Sequence, residues 1–135
     1  MRNKNRRKYQ PVFGDIFITP GLVYNIKTLE TAKSVAVLSF VKGKSGKLDK
    51  DEYVTEKGST WEIFDAGIAC QTFCLAAHAR GIGTCIFGVI DEKSIAELVN
   101  LPEEETVAAL IVYGYPDENP PAPKRKNLDE IVRFV

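Results

Sequence analysis

The sequence predicts a single mixed domain of the α/β or α+β class. Two observations carry that expectation. Ser34 to Val41 and Thr106 to Tyr113 are apolar, β-branched runs without strong alternation, the pattern of strands covered on both faces. Between them lie two segments with helix signals, Thr60 to Arg80 and Glu92 to Val99, so strand, helix, turn and strand alternate. The 135 residues suit one compact domain with one core. At 44% hydrophobic and 27% charged, the composition excludes wholesale disorder, a collagen-like repeat and a disulfide scaffold.

Each element has a local reason. Residues 2–8 hold five basic residues and no acid, which predicts a solvated terminus. Pro11, Gly14, Pro20 and Gly21 then predict loop, within which Phe13, Ile16, Phe17 and Ile18 can still pack locally. After the first strand, Lys42 to Lys57 is polar and lysine-rich, an exposed loop or weak helix. Its Gly46-Lys47 pair is not a phosphate loop: Leu48 stands where Ser or Thr is required and Val41 where Gly is required. Ser59-Thr60-Trp61-Glu62 reads as a capping box, with a hydroxyl at the N-cap and a carboxylate three residues on. The helix it starts should run to about Arg80 and stop at Gly81 in a left-handed conformation. That helix is apolar nearly all round and rich in small residues, so it should be central or interfacial.

Gly81 to Gly88 is a turn and a short apolar run between glycines. Asp91 should cap a helix from Glu92 to Val99 that ends at Asn100, before Pro102. Gly114-Tyr115-Pro116 closes the last strand. A proline-rich arm follows, then the basic cluster Lys124-Arg125-Lys126 and a short apolar pattern at Leu128, Ile131, Val132 and Phe134.

Charge and chemistry narrow the function. Eighteen Lys and Arg balance 18 Asp and Glu, but residues 1–60 carry 12 basic and 6 acidic side chains and residues 61–135 carry 6 and 12. The folded surface should be dipolar, and a nucleic-acid-coating domain is disfavoured. The odd number of cysteines (Cys70, Cys74, Cys85) and the lack of an apolar segment after the N-terminal charges predict a cytoplasmic protein with reduced thiols. Ile63 to Ala79 is interrupted by Asp65, Gln71 and His78 and fits a soluble helix better than a membrane span.

Cys70, Cys74 and His78 share a helix face, but the first and third stand about 12 Å apart, too far for one metal ion. Packing thiols inside a helix is the expected reading, with no metal. His78 is the one histidine and no serine has a base beside it, so a nucleophilic hydrolase is unpromising. What remains is a glycine-flanked apolar loop, whose backbone a flat ligand can approach, and a basic cluster able to pair with phosphate.

These pieces, in this order, resemble the nitroreductase family. The residues concerned are Trp61 to Gln71, Leu75-Ala76-Ala77, Gly81 to Cys85, the Leu-Pro step ending Asp91 to Pro102, the Gly-Tyr-Pro ending Val107 to Pro116, and the basic segment Lys124 to Val132. The resemblance implies an α+β three-layer sandwich with a small central sheet and a long buried helix, in which residues 28–135 are the family-like region and residues 1–27 an irregular, basic and abbreviated N-terminal segment. It also implies a homodimer with FMN at the interface, reduced by NAD(P)H and reoxidised by a nitroaromatic, quinone or similar acceptor. No catalytic side chain is then needed, because the flavin carries the chemistry. Cofactor contacts fall by resemblance on Ile86, Phe87, Gly88 and Val89 for the flavin ring and on Lys124 and Arg125 for the phosphate. Arg7, in Arg6-Arg7-Lys8-Tyr9-Gln10-Pro11-Val12, echoes the family's Arg-x-Ser-x-Arg phosphate motif without its serine. The family's Asn-x-Gln-Pro-Trp segment has no counterpart. The alternative expectation is a truncated or degenerate, non-catalytic member acting as a dimerising or flavin-binding module.

Overall fold

The structure is a computed structural model that describes residues 26–48 and 52–135. Its elements in chain order are α1 (Ile26–Thr31), β1 (Ser34–Val41), α2 (Thr60–His78), β2 (Gly83–Phe87), α3 (Glu92–Val99), β3 (Glu105–Gly114) and a 3₁₀ turn (Leu128–Glu130). The strands form a three-stranded antiparallel sheet in the order β1-β3-β2. β3 is the longest strand, at 10 residues, and takes the centre, where both its edges are hydrogen-bonded.

Strand alternation sends β3 side chains to opposite faces. On one face Leu110 and Val112 join Phe87, Val107 and Ile95 of α3 in the buried core, with Leu29 and Ala32 from the α1 end, Val35, Val37 and Cys85 packed against it. On the other face Tyr113 meets Phe73 of α2 edge-on, with ring centroids 5.5 Å apart. α2 also crosses β1 and β2. The result is three layers: α1 and α3, the sheet, and α2. Between Leu38 and Ser39 the register shifts, leaving Ala108 as the extra residue of a bulge.

α3 follows its local signals. Asp91 accepts from the Ser94 N–H at 3.1 Å and from the Ser94 hydroxyl at 2.7 Å, and Asn100 ends the helix at φ 51°. α2 ends at Gly81, with φ +71°; the Ile82 N–H reaches the Ala77 carbonyl and the Gly81 N–H that of His78. This is a Schellman stop.

The start of α2 departs from expectation. Ser59 is in the right-handed helical region and makes no side-chain cap bond. The N–H groups of Thr60, Trp61 and Glu62 donate to the Lys57, Gly58 and Ser59 carbonyls of the preceding turn, so no side chain is needed there. Glu62 is freed for a longer contact: its buried carboxylate accepts the Gly43 N–H at 2.7 Å. Residues 42–48 and 52–59 take the loop form of the two expected, built of turns. Lys47 bridges Tyr53 in a small antiparallel pairing, the Val54 N–H donates to the Gly46 carbonyl, and a run of turns leads into α2.

α2 is buried on one side only. Glu62, Ala66, Cys70 and Ala77 face the sheet, while Ile63, Phe64, Ile68 and Leu75 are exposed on the outer side. Residues 115–135 are exposed throughout. Among the described residues, no helix is long and apolar enough to cross a membrane.

Candidate functional site

The expected ring-contacting residues sit together where β2 ends. Phe87 is buried in the core and anchors the strand. Ile86, its neighbour, points the other way and is about half exposed. Gly88 leaves the sheet with its backbone bare: a Cβ there would meet no atom within 4 Å. Val89 is 57% exposed and Ile90 turns back into the core, just before the Asp91 cap. The sequence places an apolar strand end, a glycine and a helix N-cap in succession, which holds this short backbone segment open at the surface. Such a segment fits a flat apolar ring in kind, because Gly88 is exposed among the described residues and has no side chain to hold a ligand off.

Lys124 and Arg125 lie exposed on the extended arm after β3. They suit an anionic phosphate by charge. Arg7, with the rest of residues 1–25, lies outside the described residues, as do Phe13, Ile16, Phe17 and Ile18.

The thiols pack as small apolar groups. Cys70 is buried between α2 and the sheet, and burial pushes its thiol above the ordinary value, with Cys74 beside it adding to the shift. Burial likewise raises Cys85 in β2. High-pKa thiols are weak nucleophiles and weak metal ligands. All three are free, and His78 is exposed on the last turn of α2. Among the described residues, no group of three or more His, Cys, Asp or Glu side chains is placed to hold a metal ion.

A second surface escaped the sequence reading. Lys57, Thr60, Trp61, Ile63 and Phe64 line an open depression of about 350 Å³ at the start of α2. Its residues are split between a loop and a helix, so no spacing announces it. The one available signal was a lone tryptophan just after a lysine-rich loop.

The comparisons with known proteins fit this geometry. The sequence profile of the nitroreductase family matches residues 19–115. The chain belongs to the nitroreductase family. Protein DrgA of Synechocystis is 32% identical over 92 residues, which cover 68% of this chain and 39% of that protein. This nitroreductase-family chain therefore matches well under half the length of that curated relative. Among solved structures, a nitroreductase family protein from Streptococcus pneumoniae superposes with a TM-score of 0.72 at 18% identity, covering 90% of this chain and 72% of that one. The NADPH:FMN oxidoreductase from Vibrio harveyi, complexed with NAD+, gives a TM-score of 0.65 at 24% identity, covering 82% and 50%. At these identities the likeness is one of fold, and it confirms the α+β architecture around the small sheet.

Proposed function

We propose that the protein is an FMN-dependent oxidoreductase of nitroreductase type, cytoplasmic and homodimeric, that uses NAD(P)H to reduce a nitroaromatic, quinone or similar acceptor. The observation carrying this reading is the exposed Gly88, set between buried Phe87 and the Asp91 cap among the described residues of a nitroreductase-family fold. Bound FMN supplies hydride acceptance from NAD(P)H and onward electron transfer. The chain's own residues bind and orient. The N–H groups of Gly88 and Val89 are the donors for the ring edge, Ile86 and Phe87 set the strand that aims them, and Lys124, Arg125 and Arg7 neutralise the phosphate. Residues 28–135 form the family-like region in this reading and residues 1–27 a basic N-terminal segment that contributes Arg7.

A second reading has its own support. The exposed apolar face of α2 favours a dimerising module whether or not chemistry follows, and the match covers 39% of DrgA. Flavin retention separates the two. The purified protein, mixed with FMN and freed of excess, should keep stoichiometric flavin absorption bands and oxidise NAD(P)H. Arg125→Ala should weaken flavin binding by about 1.5–3 kcal/mol through loss of a charge-assisted hydrogen bond. A protein that retains no flavin is the non-catalytic module, and flavin affinity unchanged in Arg125→Ala removes the phosphate assignment.

A further inference from the structure

Cys70 and Cys74 stand one turn apart on α2, and nothing in the proposed function uses them. Cys70 is buried against the sheet and Cys74 is half-buried beside it. Both are free thiols, and they are hydrogen-bonded to each other. Helical spacing holds their Cβ atoms about 5–6 Å apart. A disulfide needs about 3.5–4.5 Å, so the pair is too wide to close on itself without distorting the helix. One atom inserted between the two sulfurs spans the difference.

The surroundings select that atom. A divalent metal ion needs thiolates, and burial holds the proton on Cys70. Two sulfurs would also leave a tetrahedral ion short of ligands, and among the described residues no third ligand completes a set. Trivalent arsenic asks for neither: it condenses with protonated thiols and carries their protons away as water. Cys85 is not placed to add a third sulfur, because it packs with Leu110 and Val112 on the face of the sheet opposite α2. The third arsenic valence is left among apolar neighbours, Ala66 and Ala77 on the buried side of α2 and Phe73 against Tyr113. A hydroxyl on that side would find no partner, whereas a hydrocarbon group needs none. We propose that Cys70 and Cys74 form a chelating site for a monosubstituted trivalent arsenical, R–As(OH)2 with R apolar, closed as a ring through the two sulfurs.

Cys74, the more exposed thiol, is the entry point. Its sulfur forms an As–S bond, one As–O bond breaks, and the hydroxyl leaves with the thiol proton as water. Cys70, already against Cys74, displaces the second hydroxyl in the same way. The products are a neutral ring and two waters, and arsenic keeps its oxidation state. A neutral product suits a position where an uncompensated charge is costly.

The probe is phenylarsine oxide, added to the reduced protein after small thiols are removed. Intact mass should show one phenylarsenic unit per chain, and the titratable thiols should fall from three to one. Far-UV circular dichroism should not change, because the ring spans a turn that is already formed. Cys74→Ala and Cys70→Ala should each weaken binding about a hundredfold or more, the scale of losing one arm of a two-point attachment. Circular dichroism reports the folding of both, and either one that folds tests the ring. Cys85→Ala should bind as the parent does. Arsenite should bind about tenfold more weakly than phenylarsine oxide, the scale of one hydroxyl left unpaired. No adduct, parent affinity in Cys74→Ala, lost binding in Cys85→Ala, arsenite bound as tightly as the probe, or helix lost on binding would each overturn the proposal.

Discussion

Gly46 shows how one residue can govern a loop. It holds φ at +72°, a region costly for any residue with a side chain, and its α-carbon packs on the Trp61 ring. Two penalties stack in Gly46→Ala: left-handed strain and a clash with a ring pinned by Thr55 and Phe64. The substitution should lower the free energy of unfolding in urea by about 2–4 kcal/mol. A loss under half a kilocalorie would mean that Trp61 swings aside freely, and the pre-formed depression would go with it. Glu62 teaches a related lesson. Three residues after a serine, a glutamate has the spacing of a capping box, but spacing reports only local partners. The Gly43 N–H, far away in sequence and adjacent in space, took the carboxylate instead.

At the scale of elements, what was legible divides along the same line. α3 was readable end to end because both its stops are local: Asp91 bonds Ser94 and Asn100 turns left-handed before Pro102. β1 and β3 were readable from their β-branched runs and the C-terminal end of α2 from Gly81, whereas β2 showed only as a short apolar run between glycines. The short α1, the sheet order, the bulge at Ala108 and the pairing of Lys47 with Tyr53 were not, since each is set by contacts between distant segments. The candidate site divides likewise. The open segment from Ile86 to Val89 is contiguous and showed as glycine-flanked apolar residues, whereas the depression at Trp61 needs a loop folded back on a helix.

The Asp91 cap carries a pH signature. Hydrogen bonds from the Ser94 hydroxyl and N–H hold its carboxyl below the ordinary value of 3.8. A carboxylate with a depressed folded-state pKa contributes stability that is present above its unfolded value and lost as pH falls through its folded one. Thermal unfolding should therefore show Asp91→Ala less stable than the parent at pH 7, with the gap closing as pH drops below 3.8. A gap that stays constant to lower pH would mean that hydrogen-bond geometry alone, and not the charge, makes the cap.

For the whole molecule, the outer face of α2 is the dominant unsolved surface. Phe64, Ile68 and Leu75 recur along one side of the helix, and Leu75 is 60% exposed. The arm beyond β3 adds Leu128 and Phe134, at 75% and 93%. A lone domain rarely leaves so much apolar surface in water, and among the described residues this face of α2 stays exposed. A second copy would cover α2 with α2, since a two-fold interface sets the same patch against itself. Light scattering during size exclusion should thus report twice the chain mass. Leu75→Asp would place a charge in each half of that interface and should raise the dimer dissociation constant by roughly a hundredfold or more, yielding monomer at micromolar concentrations. Leu75 is remote from Gly88 in the chain and from the Lys57 depression, so the variant also asks whether flavin binding needs the second copy. Flavin lost together with the dimer would put the cofactor site at the interface. Flavin kept by the monomer would confine the site to one chain, and a parent protein already monomeric would leave α2 to some other partner.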